Sequence, residues 1–304
     1  MEQLELNILG CGSALPTTKH FLSSQVINLR DKLYMIDCGE GTQLQFRAMK
    51  LQFQRLNHIF LSHLHGDHCF GLPGLISTLG LLGRTADLYI HGQPDTEKAF
   101  QPMLDYFCKE LPFKVIFNAF DPKVHQLIWE DRTLKVFSIP LKHRVLTAGF
   151  LFEEKPKSPH IIREMIDFYQ IPLSQINNIK GGSDFVTSEG EVIPHQRLTR
   201  PTDPPRRYAY CSDTAYYEKI IPYIEGVDLL YHESTFSNED LARAKETYHS
   251  SAEQAAKIAQ AAQVKKLLIG HFSARYPNET ILLKEAQKVF PNTFLANERM
   301  RMTI

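Results

Sequence analysis

Leu4-Glu5-Leu6-Asn7-Ile8-Leu9 alternates apolar and polar positions, the period of a half-buried strand, and runs into the turn Gly10-Cys11-Gly12-Ser13. Residues 25–29 and Lys32–Ile36 predict two further strands joined at Arg30-Asp31. After the turn Asp37-Cys38-Gly39-Glu40-Gly41, a helix is expected over 42–49 and a short buried strand over 58–62. Another helix should follow Pro73, with a strand at 87–91, a helix at 97–107 and strands at 134–139 and 148–152. Order resumes beyond residue 207 with strands at 207–211, 227–232 and 265–270. Ser250-Ser251-Ala252-Glu253 has the spacing of a capping box with Ser250 as N-cap, ahead of an Ala-rich helix ending at Ala262. Strands alternating with helices predict an α/β protein with helical layers on sheets.

Between 153 and 207 the character changes. Seven prolines (156, 159, 172, 194, 201, 204 and 205) and the pair Gly181-Gly182 interrupt the pattern, leaving one amphipathic helix at 161–169. This predicts an inserted arm rather than core.

The chain has 304 residues, 43% of them hydrophobic, which excludes disorder as its main theme. Lys plus Arg and Asp plus Glu both number 34, so wholesale polyanion binding is excluded, whereas a local basic face is not. The start, Met1-Glu2-Gln3-Leu4-Glu5, is acidic where a secretory signal needs cations, and the most apolar stretch, 71–83, is too short to span a bilayer. Five cysteines without a C-x-x-C predict reduced thiols and a cytoplasmic protein with no membrane partner.

His63, His65, Asp67 and His68 put four ligand-type side chains into six residues directly after a buried strand. In an extended segment, residues two apart point to one side, so His63, His65 and Asp67 should converge while His68 faces a neighbouring point. Imidazole and carboxylate are natural zinc ligands. Distal ligands are expected where later strands end, at His143, Asp213 and His271. With Asp213 as a bridge, the set divides into His63, His65, His143 and Asp213 for one zinc and Asp67, His68, Asp213 and His271 for the other. Two such metals, about 3.5–4 Å apart, can share a hydroxide for in-line displacement. Asp67 is placed to orient that hydroxide and take its proton.

His63-Leu64-His65-Gly66-Asp67-His68 resembles the H-x-H-x-D-H signature of the metallo-β-lactamase superfamily. Its neighbours narrow the likeness: Gly71-Leu72-Pro73-Gly74-Leu75, Asp37-Cys38-Gly39-Glu40-Gly41-Thr42, His232-Glu233-Ser234-Thr235-Phe236, Tyr248-His249-Ser250 and His271-Phe272-Ser273-Ala274-Arg275-Tyr276 resemble the ribonuclease Z family, in family order. The resemblance implies a four-layer αβ/βα metallo-β-lactamase sandwich over residues 1–304, two Zn2+ per subunit, and an inserted tRNA-binding arm at 153–207. It implies a homodimer whose arm grips precursor tRNA. The trailer is cut off after the discriminator nucleotide by attack of a metal-bridging hydroxide on the phosphodiester, leaving a tRNA 3′-hydroxyl; no DNA substrate is expected. His249 matches a histidine that assists protonation of the departing 3′-oxygen, and a departing alkoxide wants a general acid. Glu233 and His232 are candidates for orienting ligands. The chain departs from the family at Ser212-Asp213-Thr214, where Gly-Asp-Thr is usual, at Ile171-Pro172-Leu173-Ser174 in the arm, and at Pro16-Thr17-Thr18-Lys19-His20-Phe21, where P-x-K-x-R-N is usual.

Charge singles out Arg197, Arg200, Arg206, Arg207 and Arg275 as phosphate contacts. Two other readings compete with an endoribonuclease: a small-molecule phosphodiesterase using the same metals, and a non-catalytic RNA binder. A long arm argues against the first, a complete ligand set against the second.

Overall fold

In a computed structural model, which describes residues 4–304, the alternating segment forms the strand Leu4–Gly10, second from one edge of a seven-stranded sheet. Met1–Gln3, part of the acidic start, lies outside the described residues. The sheet runs in the order Arg301–Thr303, Leu4–Gly10, Ser24–Leu29, Lys32–Ile36, Leu56–Phe60, Leu88–Gly92 and Val115–Ala119. Its first four strands are antiparallel neighbours, and parallel pairing begins between Lys32–Ile36 and Leu56–Phe60. A second sheet of seven runs Thr293–Leu295, Leu267–Gly270, Leu229–Glu233, Arg207–Cys211, Ala148–Glu154, Leu134–Pro140 and Leu127–Glu130.

The sheets face each other across aromatic side chains. Phe60 of the first meets Phe150 and Phe152 of the second at ring-centroid distances of 5.7 and 5.4 Å. Tyr208 donates to Gln25, and Tyr210 to Asp37, so hydroxyls buried between the layers find acceptors. Helices Thr42–Ala48, Leu72–Leu81 and Asp95–Phe107 cover the outer face of the first sheet around a core that includes Phe46, Leu72, Ile76, Ile90 and Phe100. Helices Ala252–Ala261 and Thr280–Val289 cover the second. The result is an α/β, helix–sheet–sheet–helix arrangement, and no helix among the described residues is long and apolar enough to cross a membrane.

Two local expectations need correction. Ser251, not Ser250, caps the Ala-rich helix: its hydroxyl accepts from the Gln254 backbone at 3.3 Å, and the Gln254 side chain accepts from the Ser251 amide at 3.0 Å. Ser250 is occupied elsewhere, donating to the Thr214 carbonyl at 2.7 Å. The Pro-rich stretch is also more structured than an excursion. Residues 132–134 and 154–205 form a separate compact unit. It holds helices Arg163–Tyr169, Leu173–Lys180 and His195–Leu198, two short antiparallel strand pairs (His160–Ile161 with Thr199–Arg200 and the hairpin of Phe185–Val186 with Val192–Ile193), and a core of its own built on Ile171, Ile179, Phe185, Ile193 and Leu198. Prolines at element boundaries, Pro172 and Pro194 immediately before helices, punctuate this unit rather than unfold it.

Candidate metal centre

The candidate ligands stand where strands of both sheets end. His63 and His65 follow Leu56–Phe60, His143 follows Leu134–Pro140, Asp213 follows Arg207–Cys211, and His271 follows Leu267–Gly270. Asp213 and His271 sit in the left-handed region, at φ 62° and 59°. Such a conformation costs a non-glycine residue about 1–3 kcal/mol and concentrates at functional sites.

The extended segment reaches only to His65. A four-residue helix, Gly66–Cys69, starts there and swings Asp67 away from His63 and His65. Asp67 instead joins His68 and His271, while His63, His65, His143 and Asp213 form a second group; within each group the donor atoms lie within 4.8 Å of one another. Convergence of His63, His65 and Asp67 on one point is therefore corrected by a helix that the spacing did not reveal.

Asp213 faces both groups. Its Oδ2 lies 3.6 Å from His63 Nε2 and 3.7 Å from His143 Nε2. Its Oδ1 lies 3.0 Å from His68 Nε2 and 3.1 Å from His271 Nε2. Asp67 Oδ2 lies 3.6 and 3.5 Å from those same two nitrogens and accepts the Ala14 amide at 2.8 Å.

Hydrogen bonds behind the ligands fix which nitrogen each presents. Asp37, wholly buried, accepts from His68 Nδ1 at 2.7 Å, from the Ser62 amide and hydroxyl at 2.8 and 2.9 Å, and from the Tyr210 hydroxyl at 2.7 Å. Because the Ser62 proton goes to Asp37, its oxygen accepts from His63 Nδ1 at 3.0 Å. Thr235 donates to Glu233 at 2.5 Å and accepts from His271 Nδ1 at 2.9 Å. His143 Nδ1 donates to the Tyr248 carbonyl at 3.0 Å. Every one of these imidazoles thus turns Nε2 toward the centre.

This donor set fits cations. His68 Nε2 and His271 Nε2 approach to 3.3 Å with their other nitrogens already donating, so lone pairs and the Asp213 and Asp67 oxygens converge. Among the described residues, His143 Nε2 is buried without a hydrogen-bond partner, with Asp213 Oδ2 3.7 Å away. A cation satisfies all of these at once. Burial pushes His63, His65 and His143 below the usual imidazole range, keeping the neutral, ligating form. Burial also disfavours charge on His68, but Asp213, Asp67 and Asp37 outweigh it and hold that pKa up.

Glu233 organises the far side. Wholly buried, it accepts from the Thr214 amide at 2.6 Å, the Ser250 amide at 3.1 Å and His249 Nδ1 at 2.8 Å. Burial lowers the His249 pKa, yet the Glu233 carboxylate reverses that and brings it to about 9. The His249 ring lies 5.0 Å from His143 and 5.4 Å from His271, centroid to centroid. His232 pairs its Nδ1 with the Glu233 backbone carbonyl at 2.8 Å.

Among the arginines, Arg207 pairs with Glu153 at 3.3 Å and Arg275 with Asp240 at 2.6 Å, so both are engaged within the fold. Arg197 and Arg200 are exposed on the smaller unit, and Arg206 is half-buried.

A family profile described as "Anti-Pycsar protein Apyc1" matches residues 4–99. Much closer likeness comes from whole proteins. "Ribonuclease Z" of Parabacteroides distasonis is 64% identical over 304 residues, covering all of both chains, and that of Bacteroides fragilis is 62% identical over the same span. The chain belongs to the ribonuclease Z family. Its fold is that of metallo-β-lactamase proteins, as two solved structures show. Human tRNase Z, short form (ELAC1), superposes with a TM-score of 0.71 at 23% identity, covering 99% of each chain. The metallo-β-lactamase fold protein YhfI from Bacillus subtilis gives 0.71 at 19%, covering all of both.

Within this ribonuclease Z relative, Asp37, Ser62 and Thr235 escaped the sequence reading of the centre. Asp37 stands in the sequence as part of a turn and of a family-like segment, with nothing local to place it behind His68, since Asp before Cys-Gly is ordinary turn chemistry. Gly39 is needed beside it: a Cβ there would lie 2.5 Å from the Asp67 carbonyl oxygen. Asp37→Ala leaves four buried donors without their acceptor, and unfolding free energy is expected to fall by about 3–5 kcal/mol. The shift in urea midpoint measures this.

Proposed function

We propose that this chain is a zinc-dependent endoribonuclease that removes the 3′ trailer from precursor tRNA after the discriminator nucleotide and leaves a tRNA 3′-hydroxyl. The observation that carries this reading is Asp213, one carboxylate oxygen toward each of two histidine groups, in a chain 64% identical to a ribonuclease Z.

His63, His65, His143 and Asp213 would hold one zinc, and Asp67, His68, His271 and Asp213 the other. Bound there, the ions supply positive charge for the phosphate and an activated water. Asp67 Oδ2, held by the Ala14 amide, orients the attacking water and takes its proton. Water attacks phosphorus, the bond to the 3′-oxygen breaks, and His249 delivers a proton to that oxygen. Glu233 holds Nδ1 of His249, which leaves Nε2 as the proton-bearing atom toward substrate. The trailer leaves with a 5′-phosphate.

The segment 153–207 is read as the arm that grips tRNA. Arg197 and Arg200 are its exposed cations toward phosphate, with Arg206, Arg207 and Arg275 as further contacts. The enzyme is read as a cytoplasmic homodimer acting on RNA rather than DNA.

Incubation with a 3′-extended precursor tRNA tests the reading. Cleavage directly after the discriminator, abolished by chelator and restored by zinc, is expected. Trimming one nucleotide at a time, or cutting unaffected by chelator, would refute it.

A further inference from the structure

Away from the catalytic groups, Cys11, His20 and Glu298 bring a thiol, an imidazole and a carboxylate together, their donor atoms within 4.8 Å of one another. Cys11 is wholly buried, His20 is 7% exposed and the Glu298 side chain 14%. The three come from distant parts of the chain: the turn after Leu4–Gly10, the loop that follows it, and the segment before Arg301–Thr303.

Cys11 Sγ lies 3.4 Å from His20 Nδ1, 3.5 Å from Glu298 Oε1 and 3.5 Å from the Ala296 carbonyl oxygen. A tetrahedral zinc with one sulfur and several nitrogen or oxygen ligands holds those donors about 3.3–3.6 Å apart. The three sulfur distances fall in that span. His20 Nδ1 to Glu298 Oε2, at 2.9 Å, is tighter and would open slightly. A thiol has a single proton and faces two oxygen acceptors beside His20 Nδ1, whereas one cation engages all three atoms.

The outer face of the imidazole is dressed as a ligand's would be. His20 Nε2 lies 3.0 Å from Glu279 Oε1, and Lys19 pairs with the same carboxylate. A histidine that ligates through one nitrogen commonly donates its other N–H to a carboxylate, which sets the ring and raises its basicity. The charges also close: zinc, thiolate, two carboxylates and the Lys19 ammonium sum to zero.

We propose that Cys11, His20 and Glu298, with the Ala296 carbonyl, form a structural zinc site separate from the catalytic pair. A thiolate, imidazole and carboxylate suit zinc better than the harder divalent cations. The site clamps the loop that carries Ala14, whose amide holds Asp67, to the C-terminal segment.

The whole protein tests this, purified from zinc-replete cells without chelator and also loaded with cobalt. Wild type is expected to carry one metal equivalent more than Cys11→Ser. Its cobalt form should show a near-ultraviolet thiolate-to-cobalt charge-transfer band that Cys11→Ser lacks and Asp213→Ala keeps. The His/Asp centre contains no sulfur ligand, so the band and the catalytic pair can fail separately. Should Cys11→Ser not fold, His20→Gln serves, again with loss of one equivalent and of the band. Equal metal content in wild type and variant, or no sulfur band in the wild type, overturns the proposal and makes His20 an imidazolium held between Glu279 and Glu298.

Discussion

Asp213→Ala is expected to lower turnover on precursor tRNA by about 10³-fold or more while leaving tRNA affinity nearly intact. One oxygen of this carboxylate serves His63 and His143, the other His68 and His271, so its removal weakens both groups together. Metal charge and metal-activated water each account for several kcal/mol of barrier lowering, and about 1.4 kcal/mol is tenfold in rate. If tRNA is held by the proposed remote phosphate contacts, binding should survive. His249→Ala makes the contrast. If His249 is the proposed proton donor, its loss costs about 10²–10⁴-fold in turnover but removes no proposed ligand, so the metal content should be unchanged. Metal analysis alongside single-turnover kinetics separates the cases. Equal loss of tRNA binding and of turnover in Asp213→Ala would place the residue in the fold's stability rather than in the chemistry.

What the sequence disclosed depends on the range of the interaction. Leu4–Gly10 was legible because apolar–polar alternation is a local signal, although Asn7 and Leu9 are buried along with Leu4, Leu6 and Ile8, and Lys32–Ile36 was legible as a short apolar run after the Arg30-Asp31 turn. The H-x-H-x-D-H run was legible because four donors in six residues have no ordinary structural use. The local convergence of Asp67 with His63 and His65 does not hold, because the Gly66–Cys69 helix intervenes, a single turn with too few residues for a period to show. Ser250 and Ser251 offered equivalent capping chemistry, and tertiary structure chose between them by giving Ser250 the Thr214 carbonyl and Glu233. Asp37 gathers partners from residues 62, 68 and 210, and no local pattern encodes such a meeting. The prolines of 153–207 hid a small core because Ile171, Ile179, Phe185, Ile193 and Leu198 are spaced by turns, not by a helical or strand repeat.

That small core makes the second large effect testable. Deleting residues 156–200 removes Ile171, Ile179, Phe185, Ile193 and Leu198 together, so no half of an apolar cluster is left exposed. The two large sheets and the helices on them are formed by residues outside the deletion, and so are all seven candidate ligands. The shortened protein should therefore keep its metals and hydrolyse a small activated phosphodiester at close to the wild-type rate. Cleavage of precursor tRNA should nearly vanish. Hydrogen bonds from charged donors contribute about 1.5–3 kcal/mol each, so losing Arg197 and Arg200 alone predicts about 10²–10⁴-fold in kcat/KM. If these contacts are made, wild-type affinity should fall as salt rises, and the deletion should flatten that dependence. Parallel assays with the two substrates decide the matter. If small-ester hydrolysis is lost as well, the segment stabilises the catalytic fold. If tRNA is still cut normally, the grip on RNA lies elsewhere, and a phosphodiesterase of broader scope becomes the better description of this metal centre.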